Sequence, residues 1–192
     1  MIAGHFGFAA MVKSREQSTP LWLLMFAAVW LDVVFIPLFL AGIETIHPVA
    51  GRPGYGASVI YADYTHSLIG MVALSAILAG VCLPFWGLRP AIVAGLVSVS
   101  HWVLDLIVHR ADIPVLPGNF GDLPRLGFGL WRSPLLSAGL EAILIVVGAA
   151  LYAAAARAVS IEAGRGRRLA TVTPILVVVC GLFILGLDLS AR

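Results

Sequence analysis

The sequence predicts an all-α, polytopic membrane helical bundle: about five transmembrane spans plus a short N-terminal re-entrant or interfacial helix. Three observations predict it. Of the 192 residues 60% are hydrophobic, and the mean hydropathy is +1.01. Only 11% are charged, against about 25% in ordinary soluble domains. The apolar residues also gather into runs near the ~20 residues that a crossing helix needs. The length suits a single membrane domain over 1–192, with a polar core in 1–157 and a basic loop and last span in 158–192. A formal charge of +2 is too small to suggest a nucleic-acid partner. Cys82 and Cys180 stand far apart in apolar runs without metal-type spacing, and read as two buried small hydrophobes.

In order, Ile2–Val12 is apolar but too short to span. No basic residue precedes it, so it lacks the n-region of a signal peptide and is expected to be kept. The first span is predicted over Pro20–Gly42, opened by a proline in its first turn and carrying one charge, Asp32, near its middle. A Gly- and Pro-rich loop with Glu44, His47 and Arg52 follows. The second span is predicted over Ser58–Leu83, with Asp63, Tyr64 and His66 in its early turns, and the third over Pro90–His109. The long Arg110–Ser133 loop has a length that is uncommon unless functional. The fourth and fifth spans, Pro134–Ala156 and Val172–Leu189, flank a basic loop over Arg157–Arg168. With five spans, seven of the Lys and Arg residues fall on the N-terminal side and five on the other. Positive-inside then places the N-terminus in the cytoplasm.

The polar residues inside these spans are the unusual feature. His101, Asp105 and His109 repeat at i, i+4 and i+8, which puts them on one helical stripe. A charge at membrane depth costs roughly 2.5–3.5 kcal/mol on insertion scales, so such residues face the interior and have partners. Counting at about 1.5 Å per residue brings Asp32, His66, His101, Asp105 and Glu141 into one slab roughly 10 Å thick. Imidazoles and carboxylates at one depth suit a divalent transition metal. Zinc is the first expectation, and manganese or iron accept the same donors. Asp32, His66, His101 and Asp105 are the expected ligands, with His5 as a further member. His47 reads as a loop residue, and Trp30, Trp102 and Trp131 as packing or belt residues.

An apolar N-terminal helix with an early His5, Asp32 in the first long span, Thr65-His66-Ser67 ahead of the next and the later His101-x-x-x-Asp105 resemble one family. It is a family of bacterial inner-membrane metal-dependent hydrolases, and the resemblance covers about residues 1–157. It implies His5, Asp32, His66, His101 and Asp105 as the metal set. The order is also similar, more remotely, to the zinc-dependent phospholipase C and single-strand nuclease group, which implies phosphoester hydrolysis. The chain departs from the commoner pattern in two places. Tyr61-Ala62-Asp63-Tyr64 replaces a basic lead-in before Thr65, and Asp32 stands outside any Pro-Asp-x-Asp cluster.

The functional expectation is therefore a membrane-embedded metal-dependent hydrolase acting on a phosphoester or lipid-like substrate, with membrane lipid as its surroundings. Glu141 and His109 are the expected proton carriers, and Arg125 and Arg132 the expected holders of an anionic substrate. Two rivals use the same residues: a small metal-ion or proton permease, and a non-catalytic scaffold held by polar contacts. The permease needs a polar route across the inner halves of the spans, where Ser75 and Ser98 are about the only relief.

Overall fold

The computed structural model describes residues 1–51, 54–162 and 168–190. Among them lie seven α-helices and one two-stranded sheet. The helices are α1 (Ile2–Arg15), α2 (Leu21–Ala28), α3 (Trp30–Leu40), α4 (Leu68–Trp86), α5 (Leu88–Val108), α6 (Pro134–Glu162) and α7 (Arg168–Ser190). Four of them, α4 to α7, are long and apolar enough to cross a membrane, and the bent pair α2–α3 makes a fifth span if counted as one. The chain is a helical membrane bundle. Arg52, Pro53, Arg165, Arg167 and Arg192, which entered the loop and orientation expectations, lie outside the described residues.

α1 is three residues longer than expected, yet at about 1.5 Å per residue it still falls short of a ~30 Å hydrocarbon core. It lies inside the bundle, against α6 above all and also against α2 and α7. Glycine makes that approach close. A Cβ on Gly148 would stand 1.9 Å from the Gly7 carbonyl oxygen, and one on Gly7 would stand 2.5 Å from the backbone of Leu144. Small residues at a helix crossing let two backbones meet in this way.

The first span breaks at Val29, where α2 and α3 meet at 46°. Its cause is a side chain inserted in the helical ladder: the Ala28 carbonyl accepts a hydrogen bond from His101 Nδ1 at 2.7 Å.

The expected second span needs correction at its start. Ser58–Tyr61 is a strand, β2, paired antiparallel with β1 (Thr45–Pro48), with Thr45 opposite Tyr61. Its Val-Ile-Tyr run suits a half-buried strand, and the glycine-containing segment before it closes the hairpin. The residues between β2 and α4 form a turn, not a helix. Ser67 is the N-cap of α4, its Oγ accepting from the Gly70 amide at 3.0 Å. α4 thus begins ten residues later than expected.

The long loop holds this hairpin. Ile60 N–H donates to Asp112 Oδ2 at 3.0 Å. Arg125 makes a two-pronged contact with Asp63 at 2.6 and 2.9 Å and also donates to the Asp112 carbonyl. At the opposite end of the bundle Leu23, Leu24, Ala27, Leu78, Ala94 and Val97 form an apolar core. Cys82 belongs to it, whereas Cys180 faces outward from α7 rather than inward as expected.

At that same end Glu16, between α1 and α2, accepts from the Ser18 hydroxyl and amide and from Arg89 Nε at 2.8 Å. The Ser18 hydrogen bond is the main cause that holds its carboxyl down at about 2; burial opposes it, and Arg89 adds to the lowering. A depressed carboxyl contributes stability above its ordinary pKa and loses it as the pH falls through the folded value. Glu16→Gln is therefore expected to lower the thermal midpoint at neutral pH. The gap to the unmodified protein should close between pH 4.5 and about 2 in a pH series of melting curves. Gly148→Val should cost about 1–3 kcal/mol in an unfolding titration, as overpacking does. It should also expose α1 to proteolysis.

Candidate metal centre

Four elements bring the polar side chains together. α3 supplies Asp32 from its first turn, the turn ahead of α4 supplies His66, α5 supplies His101 and Asp105, and α1 supplies His5. His5, His66, His101 and Asp105 are buried, while the Asp32 side chain is 33% exposed toward a cavity.

The distances define two triangles that share one edge. His66 Nε2 and His101 Nε2 lie 3.2 Å apart. Asp32 Oδ1 is 3.6 Å from each of them. On the other side, Asp105 Oδ2 is 3.1 Å from His101 Nε2 and 3.7 Å from His66 Nε2. Four-coordinate zinc with ligands at about 2.0–2.2 Å has ligand–ligand edges of about 3.3–3.6 Å, and these sides, from 3.1 to 3.7 Å, lie within about 0.2 Å of that range.

The second nitrogens decide what the ring faces present. The Ala28 carbonyl can only accept, so His101 Nδ1 carries a proton and donates it there. The Thr65 hydroxyl donates to Glu44 Oε2 at 2.9 Å, so it accepts from His66 Nδ1–H, also at 2.9 Å. In the neutral rings both Nε2 atoms are then bare lone pairs, facing each other and two carboxylates. Outer partners that fix the tautomer in this way are the usual support of metal-binding histidines.

His5 stands behind this set. Its Nε2 is 3.1 Å from Asp105 Oδ1, the oxygen turned away from His66 and His101, and its ring stacks on His101 at 3.9 Å. Its Nδ1 has no hydrogen-bond partner among the described residues. The trio His5, His101 and Asp105 is close enough to hold an ion, as is Asp32, His66 and His101.

His109, the residue that closes α5, is buried. Its Nδ1 is 3.0 Å from Asp112 Oδ1, which leaves Nε2 3.7 Å from Asp105 Oδ2. Trp131 covers its ring at 4.3 Å. Glu141 sits to one side, accepting from the Gly4 amide at 2.9 Å and from the Tyr55 hydroxyl. Burial and then the Glu141 carboxylate push the Tyr55 phenol above its ordinary value, so it stays a donor. Arg125 is held by Asp63, and Arg132 is exposed on the long loop. Neither lines the cavity that opens on the cluster.

That cavity measures 460 Å³, within the range of small-molecule sites. It is lined by the polar Asp32, His66, Asp105, His109 and Asp188, by the N-terminal Met1, and by apolar side chains that include Phe35, Ile36, Ile46 and Ile60. Comparison with protein-family models, with curated proteins and with solved structures finds no match to this chain.

Two supporting residues escaped the sequence reading. Glu44, in the loop after the first span, is fully buried and accepts from the Tyr64 and Thr65 amides at 2.7 and 2.8 Å, besides the Thr65 hydroxyl. Asp112 orients His109. The usable signal was chemical: an acidic residue beside each candidate histidine's loop. Thr65→Val removes the acceptor of His66 Nδ1–H while preserving shape. Isothermal titration with zinc should show affinity lowered about 10–100-fold, the usual effect of losing such a partner.

Proposed function

We propose that the chain is a membrane-embedded, metal-dependent hydrolase acting on a lipid-like substrate. Its expected place is a bacterial inner membrane, with the basic end of α1 on the cytoplasmic side. The observation that carries the reading is the meeting of two bare imidazole nitrogens with two carboxylates at 3.1–3.7 Å inside an apolar bundle. Without a cation these groups repel or compete for protons; a divalent cation satisfies all of them and offsets the burial of the carboxylates. The mixed nitrogen and oxygen set suits zinc, and a set of this kind accepts manganese or iron as well.

Asp32, His66, His101 and Asp105 would hold the ion, and His5 would fix the orientation of Asp105. A divalent ion held there would supply Lewis-acid chemistry, polarising a scissile bond and lowering the pKa of water toward about 7. The protein's own part is positioning and proton handling. His109, with Nδ1–H given to Asp112, turns a bare Nε2 toward the cavity and is placed to take a proton. Glu141 is less suited, because both its oxygens are engaged by Gly4 and Tyr55. The apolar walls favour a substrate with a hydrocarbon portion.

Conduction is the weaker reading. Ser75 and Ser98, the polar relief on the route inward, hydrogen-bond each other at 2.8 Å, and apolar core residues pack beyond them.

The test is metal content. Protein purified without an affinity tag that binds metal should carry close to one zinc, manganese or iron per chain by mass spectrometry. His101→Ala and Asp105→Ala should lose it while still folding, as judged by circular dichroism. Absence of stoichiometric metal from the unmodified protein, even after incubation with zinc, would sink the proposal.

A further inference from the structure

Two sets of helices flank the cavity. α3 packs against α2, α4 and α5, while α1, α6 and α7 pack on one another. Between the sets, Phe35 and Ile36 of α3 line the cavity from one side, and Ile2 of α1 and Asp188 of α7 line it from the other. Ile2, Ile36 and Ile46 belong to this lining and are also exposed, at 42%, 54% and 41%. Residues that border a cavity and face outward at once mark its mouth.

The surface around that mouth is apolar. Val33, Phe39 and Leu40 are exposed on α3, and Phe183 and Leu187 on α7. On spans of a membrane bundle such faces meet hydrocarbon. Ile36 lies four residues before the end of α3, about 6 Å by helical rise, so it stands within the span. A path of rings leads inward from there. Phe39 stacks on Phe35 with centroids 5.6 Å apart, and the Phe35 ring stands perpendicular to that of His66 at 6.1 Å. Apolar contact thus runs from the outward face of α3 to the polar cluster.

We infer that the cavity is a binding site for an acyl chain that enters sideways from the bilayer, between α3 and the ends of α1 and α7. A chain on this route exchanges one apolar surrounding for another. Drawn out through water first, it would expose every methylene on the way. The hairpin supplies another wall, with Ile46, Tyr55 and Ile60 in the lining. Asp112 and Arg110 hold that wall through the Ile60 amide and the Gly56 carbonyl. Ile36, at the mouth, sets the width that a chain must pass. The inference goes beyond the hydrolase reading, because it concerns the cavity and not the ion. Where both hold, the chain belongs to the substrate.

The experiment uses the full chain in nanodiscs containing a phosphatidylcholine with a diazirine on one acyl chain. After irradiation, mass spectrometry of peptides maps the adducts. Phe183 reports ordinary contact with the bilayer, whereas Tyr55 and Ile60 report entry into the cavity. Adducts are expected at all three. Ile36→Trp should remove those at Tyr55 and Ile60 and keep that at Phe183. Ile36→Ala should raise them, so a folding defect in one variant does not decide the result. Labelling of Phe183 without Tyr55 and Ile60, as a cavity filled from water would give, overturns the inference. So does labelling of Tyr55 and Ile60 that neither variant changes, as lipid reaching over the hairpin would give. Metal content measured on the same samples keeps the two proposals apart. Protein without metal can still take up the chain, and metal-loaded protein can still exclude it.

Discussion

Ionisable side chains inside an apolar bundle have only one another and a few stray backbone groups for company, and this structure is arranged around that constraint. The histidines and the inner carboxylate of the central cluster take outside partners for the atoms that do not face its centre, the Nδ1 of His5 excepted. His101 uses the Ala28 carbonyl, His66 uses Thr65 and through it Glu44, and Asp105 uses His5. Trp102 of α5 adds a further tie by donating to the His66 carbonyl at 2.7 Å. The outward contacts leave little freedom for the rings to turn away. What remains is a centre of electron-pair donors, assembled by parts of the chain as much as 100 residues apart in sequence.

The sequence made the centre legible for a simple reason. In an apolar helix a polar residue is rare enough to be noticed, and helical rise converts its position into depth. Asp32, His101 and Asp105 could be placed together by counting. The hairpin could not, because a short run such as Val59-Ile60-Tyr61 is equally compatible with the start of a membrane helix. His66 was consequently put a third of the way into a span, when it lies just ahead of one. It still meets the cluster, because the turn brings its Nε2 to 3.2 Å from that of His101. Glu44 and Asp112 were invisible to this method. Both act from loops, where an acidic residue is ordinary and no periodicity tells which way it points. His109 lies on the same stripe, but counting along the helix does not say where the chain goes beyond its end. The loop beyond it folds back and encloses it with Asp112 and Trp131.

The short first helix shows how two unrelated properties can share one contact. The glycines at 7 and 148 bring α1 against α6 closely enough for the Gly4 amide to reach Glu141, and the same seating carries His5 to Asp105. Burying Glu141 and aligning the Asp105 carboxylate are thus consequences of one helix crossing. The Tyr55 hydroxyl completes that side of the cavity from the loop between the strands.

The bend at Val29 has a consequence for motion. The carbonyl at the break fixes the proton on His101, and the helix that restarts beyond it carries Asp32. Straightening the span would reclaim that carbonyl for the helical ladder, release the ring of His101 and swing Asp32 away in one movement. Two members of the cluster would loosen together rather than in turn. Such a joint ties the shape of the first span to the cluster: the two half-helices cannot realign about Val29 while His101 holds the Ala28 carbonyl.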